Sequence, residues 1–296
     1  MSGNNSHPAQ TAQTTTEPRR RSPWPLIVIA ALFIIVPFFA WYGTWFGRSL
    51  SDDDIEKYLN DEHSARHVQA ALTQIEERME KNDASIKRWY PRIVELAYSP
   101  VPELRKTVAW VMGNDNKSEE FHQALLRLLE DSEPVVRRNA AVQLARFNDG
   151  HGRKELRAIL QPYTVNAAVA GTINSTLSVG SRILEGTTIY RLQQTDGQTL
   201  AVRSSLPGKI SSVAVAAGAQ VAAGDAILTI APDGGFVYEA LRALFLVGES
   251  DDLPDVQRYA AGVEGMPDQV QQQATQTVRA IQSRSEQKSP VDTSQN

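Results

Sequence analysis

The sequence predicts a multidomain α plus β fold: an N-terminal transmembrane helix, a solenoid of paired helices and a small β unit inserted in it. Three observations carry this. No charged residue occurs between Arg21 and Arg48, apolar residues recur at helical spacing from residue 51 onwards, and residues 164 to 231 contain one half-motif twice. The expected divisions are a disordered tail over 1–22, a span over 23–47, helical repeats over 51–161, the β unit over 162–233, further helices over 235–283 and a second disordered tail over 284–296.

Residues 1 to 18 are polar with almost no aliphatic side chains, too little to offset the entropy of ordering. Arg19, Arg20 and Arg21 follow, and the segment from Trp24 to Phe46 is long enough to cross a hydrocarbon layer of about 30 Å. Trp24 at one end and Trp41, Tyr42 and Trp45 at the other suit an aromatic belt. A cleaved signal peptide shares the basic start, but a small-x-small cleavage site is missing and bulky aromatics follow Ala40. The arginines before the span and Asp52, Asp53 and Asp54 after it predict a cytoplasmic N-terminus, with the remainder outside the cytoplasmic membrane.

Ser51 before three aspartates reads as a helix cap with its acids at the positive end of the dipole. As a calcium loop the triplet lacks the required glycine and glutamate. Val136, Ala140, Leu144 and Phe147 are spaced four, four and three, and Val270, Ala274, Val278 and Ile281 repeat the pattern near the C-terminus. Leu104, Val108 and Met112 match three positions, and Ser64, Val68, Leu72 and Ile75 make a weaker match. The segment from Asp131 to Arg146, with Pro134 near its start, resembles the second helix of a short HEAT-like repeat, and Glu120 to Leu129 reads as its partner. After the β unit, Val237 to Gly248 is amphipathic, and Pro254 and Pro267 mark two more helix starts.

In the β unit Gly180, Ile183, Gly186, Ile189 and Leu192 stand three apart, and Gly218, Val221, Gly224, Ile227 and Ile230 repeat them. Upstream, Val165 and Ala170-Gly171 match Val202 and Pro207-Gly208 with one residue of slippage. Two such halves pack into a small sandwich. Residues Leu206 to Ile230 carry a resemblance to the lipoyl/biotinyl domain, a barrel-sandwich hybrid. Carriers of that family attach biotin or lipoate to a lysine at the hairpin joining the halves. Here the hairpin reads Thr195-Asp196-Gly197-Gln198, and the domain's lysine, Lys209, lies elsewhere. The departure implies the non-carrier branch, which includes the periplasmic adaptors, or membrane fusion proteins, of efflux and secretion systems. The long helical hairpin of those adaptors is missing from this chain.

The formal charge of −4 argues against a general nucleic-acid binder, and the lack of cysteine excludes disulfides and thiolate chemistry. His63 and His67 are four apart but want a third ligand, and His122 and His151 stand alone in sequence. No phosphate loop, nucleophile elbow or dinucleotide fingerprint occurs, so the expectation is a protein without enzymatic activity, cofactor or metal. Arg105-Lys106 and Arg137-Arg138 recur at equivalent repeat positions, as a basic stripe for a partner or as a solvated face paired with Glu103 and Glu133. Trp89 and Trp110 are expected in the helical core, with one of them as the alternative contact anchor. The expected function is that of a single-pass membrane adaptor that binds another envelope protein, a transporter subunit by the family likeness, through Arg105, Arg137 and the hairpin Thr195, Asp196, Gly197 and Gln198. A biotin or lipoate carrier modified at Lys209 and a general assembly scaffold are the alternatives.

Overall fold

A computed structural model describes residues 33, 49–61 and 63–288. Its helices begin where the sequence supplies a cap or a proline. α1 (Asp52–Leu59) starts at Ser51, whose hydroxyl accepts from the Asp54 N–H while the Asp54 carboxylate accepts from the Ser51 N–H. α2 (Ala65–Glu80) is capped by Ser64. A 3-10 turn, Ala84–Trp89, leads into α3 (Tyr90–Leu96), and α4 (Pro102–Met112) follows. Both have proline in the first two positions, where its missing N–H had no partner to lose. α5 (Glu119–Leu128) is capped by Ser118, α6 (Pro134–Arg146) opens on proline, and α7 (Arg153–Ile159) is short. Beyond the strands come α8 (Gly234–Val247), capped by Asp233, then α9 (Leu253–Ala260) and α10 (Asp268–Lys288).

These helices contact one another as the pairs α1/α2, α3/α4, α5/α6, α7/α8 and α9/α10, and the second helices α2, α4, α6, α8 and α10 touch in that order. Their apolar faces meet between the layers. Val136, Ala140 and Leu144 are fully buried with Leu72, Trp89 and Phe121, and Val270, Ala274 and Ile281 with Leu241 and Tyr259. Phe147, the last of its series, and Val278, the third of its own, are half-buried.

The β unit lies between α7 and α8, inside the fourth pair. Its strands are β1 (Tyr163–Asn166), β2 (Gly171–Thr176), β3 (Arg182–Ile183), β4 (Thr188–Gln194), β5 (Thr199–Arg203), β6 (Gly208–Val213), β7 (Gln220–Val221) and β8 (Ala226–Pro232). One sheet runs β1-β8-β6-β3 and the other β5-β4-β2-β7. Exchanging β1 to β4 for β5 to β8 turns one order into the other, so the repeated sequence forms a repeated pairing pattern. Gly180, Gly186, Gly218 and Gly224 have φ of 80 to 92°, where a side chain would be strained. The apolar residues at their third positions, Ile183, Ile189, Leu192, Val221, Ile227 and Ile230, are all buried between the sheets.

Two parts of the predicted fold class are corrected. Among the described residues no helix is long and apolar enough to cross a membrane. The most apolar, α8, has 14 residues where a span needs about 20, and the longer α10 is rich in Gln and charge. The segment 23–47 lies, apart from Phe33, outside the described residues. The β unit is likewise no closed barrel: both of its four-stranded antiparallel sheets are open. The two-residue strands β3 and β7 each pair on one side only, as do β1 and β5, so neither sheet is carried round into closure.

The β unit is held on the helices by its own core residue. Leu206, 1% exposed, is buried among the helical core residues, and Tyr163 packs against the same cluster. The Ser204 hydroxyl fixes this turn by donating to the Leu206 carbonyl at 2.6 Å and accepting the Leu206 N–H at 3.3 Å. Lys106 on α4 reaches Glu185 at 2.6 Å, a link between array and β unit.

Candidate functional site

The hairpin Thr195 to Gln198 is exposed throughout. The turn is local chemistry: Gly197 at φ 84°, the Gln194 N–H donating to the Gln198 carbonyl, and Asp196 Oδ1 accepting the Gln198 N–H at 2.9 Å. Lys209 is exposed on β6 opposite Arg182, away from this hairpin.

Arg105 and Arg137 do the same structural job one repeat apart. Arg105 donates to the Ser99 carbonyl six residues back and Arg137 to the Asp131 carbonyl six residues back, at 2.8 and 2.7 Å. The fork of Arg105 also grips both oxygens of Asp131 at 2.6 and 2.8 Å, and Arg137 meets Glu155 at 3.2 Å. Both partners differ from the predicted Glu103 and Glu133. Burial opposes ionisation of Asp131, but the Arg105 fork and the Glu133 N–H outweigh it and hold the carboxyl below its usual range. Arg138, the neighbour of Arg137, is buried over the Tyr163 ring at 5.9 Å, and desolvation lowers its pKa. Arg105, Arg137 and Arg138 are thus engaged within the array, and Lys106 bonds the β unit.

The histidines isolated in sequence are not isolated in space. Asp149 accepts from His122 Nε2 at 2.6 Å and from His151 Nδ1 at 2.5 Å, and the His122 ring stacks on Phe147. Burial of Asp149 works against its charge, while bonds from the His151 backbone and both rings prevail and lower its pKa. Among the described residues no cluster of three or more such side chains could hold a metal. His67 bonds Asp61 at 2.6 Å and stacks on Tyr58, and His63 turns to solvent.

The surface that the sequence reading missed is a groove of about 700 Å³ across four second helices: Trp110 of α4, Val142 and Arg146 of α6, Phe245 and Leu246 of α8, and Gln273 and Gln276 of α10. Trp110, Phe245 and Leu246 are 39, 40 and 43% exposed, large apolar side chains turned outward together. Trp89, in contrast, is 2% exposed and donates to Glu56 at 2.7 Å. The missed signal is the run Leu244-Phe245-Leu246-Val247, apolar on more faces than a one-sided helix needs.

No curated protein matches the chain. A solved structure described as a single-chain, multi-domain long-chain acyl-CoA carboxylase is similar over 34% of this chain and 11% of that one, at 17% identity and a TM-score of 0.23. The chain thus spans about a tenth of that protein's length. Residues 90–171, from α3 to the start of β2, match the family described as HEAT repeats, so the helices α3 to α7 are HEAT-like.

Proposed function

We propose that the chain is a non-enzymatic adaptor whose HEAT-like array holds a partner polypeptide along the α4–α6–α8–α10 groove. The observation that carries this is the outward cluster of Trp110, Phe245 and Leu246 lining one groove. Exposed apolar groups gathered in this way favour burial against a second molecule, and solenoids commonly bind along such extended surfaces. The β unit, read as lipoyl-like, presents its Thr195–Gln198 hairpin as a second contact on the same body. Two weak contacts on one rigid support gain from effective concentration. An envelope transporter subunit is the partner that the adaptor likeness puts forward.

The test is photo-crosslinking in the native host from a benzoylphenylalanine at Phe245, at Gln198 and, as a control, at Tyr98. The expected result is one polypeptide captured from the first two positions and not from the third, with capture falling at least about tenfold on Trp110→Ala. Equal labelling from all three positions, or none from Phe245, overturns the reading. A biotinyl or lipoyl mass increment on Lys209 would replace it with a carrier.

A further inference from the structure

Beside the groove, the start of α8 meets α4 and α6 around a smaller cavity of about 340 Å³. Trp110, Phe236, Tyr238 and Val142 supply its apolar lining, and the charged residues that line it, Asp233 and Glu239, are both acidic. It shares Trp110, Val142 and Glu239 with the groove, so a chain lying in one can extend a side chain into the other. We propose that this cavity receives a basic side chain, lysine or arginine, of the partner polypeptide; the inference rests on the groove reading above and gives the partner its chemistry.

Aromatic faces attract a cation that has lost part of its hydration, and a carboxylate beside them selects positive charge over an apolar side chain of equal length. The aliphatic stem of a lysine or arginine suits apolar walls such as Val142 and Trp110 while its head reaches the acids. The positive end of α8 opens nearby. Asp233 covers it by accepting the N–H groups of Gly235 at 2.9 Å and Phe236 at 3.4 Å, so an arriving cation meets a carboxylate in place of bare donors. The protein already shows the pairing in miniature. Arg242 places its guanidinium 5.9 Å from the Tyr238 ring centre and within 3.3 Å of both Glu239 oxygens. With a side chain 58% exposed and a partner one helical turn away, Arg242 is weakly held and can yield to a competitor.

The test uses the full chain labelled with 5-fluorotryptophan, the Trp110 resonance being assigned by Trp110→Phe. It is titrated with three short peptides of leucines flanking a central lysine, norleucine or glutamate. The lysine peptide is expected to shift the Trp110 resonance saturably and to bind about tenfold more tightly than the norleucine peptide, with the glutamate peptide weakest. Asp233→Asn and Glu239→Gln should each weaken the lysine peptide by roughly threefold to tenfold and leave norleucine unchanged, and Arg242→Gln should strengthen the lysine peptide. Equal binding of norleucine and lysine, or indifference to both carboxylate variants, overturns the cation pocket while leaving the groove. A silent Trp110 together with successful crosslinking from Phe245 also removes the pocket alone. Failure of the crosslinking removes the groove reading.

Discussion

Replacing Asp131 by Asn strands the Arg105 guanidinium, whose side chain is 13% exposed, against a group that no longer carries charge. The expected loss is about 3 kcal/mol of stability at pH 7, measured by urea unfolding. The pH dependence fixes the cause. Because folding lowers the Asp131 pKa, its contribution is complete above the unfolded value of about 3.9 and disappears as pH falls through the folded one, so the gap between wild type and variant should narrow as the pH is lowered below about 3.9. Two glycines separate crowding from backbone strain. A Cβ on Gly171 would lie 2.4 Å from the Gln193 carbonyl oxygen, whereas one on Gly218, at φ 87°, meets nothing within 4 Å. Gly171→Ala should cost about 3 kcal/mol and Gly218→Ala about 1 kcal/mol in thermal unfolding of the β unit. The glycine positions were legible in sequence because the turn requirement is local. The pairing of Arg105 with Asp131, 26 residues away, was not, since nearer acids at Glu103 and Glu133 offered the same chemistry.

At the scale of the element, α8 depends on α10 for its end. Arg284 donates to the carbonyls of Leu244 at 3.2 Å, Phe245 at 2.7 Å and Gly248 at 2.9 Å, and the Thr277 hydroxyl donates to that of Leu241 at 2.9 Å. The bonds to Phe245 and Gly248 take up carbonyls at the helix end, while Leu244 also accepts the Gly248 N–H. Arg284→Ala is expected to cost about 2 kcal/mol and to speed amide exchange over residues 244–248 more than over 237–241, read by hydrogen-exchange mass spectrometry. Helix starts were legible because Ser51, Pro134 and Pro254 act on the chain beside them. The outward turn of Phe245 and Leu246 was not, because apolar spacing alone reads every large apolar residue as core.

For the whole molecule, the question is whether the β unit moves on the array. Leu206 in the helical core and the Lys106–Glu185 pair tie the β unit to the array. Leu206→Ala should lower stability by about 2–5 kcal/mol and open the junctions at 160–162 and 232–234 to limited proteolysis, while wild type unfolds in a single transition. The twofold plan of the β unit was legible because its 38-residue offset, from Gly180 to Gly218, is written in glycines and aliphatic residues. Its attachment was not, since Leu206 looks like any residue leading into a strand.

Where the β unit joins the array, β1 and β8 run side by side, with Tyr163 opposite Ile230. The backbone thus departs from α7 and comes back to α8 through neighbouring strands about 5 Å apart. For the fourth pair the strands amount to a loop already closed, and its length is nearly immaterial to the cost of joining the two helices. A turn of a few residues would join the same two ends, but Leu206, which fills part of the helical core, would be lost with the strands.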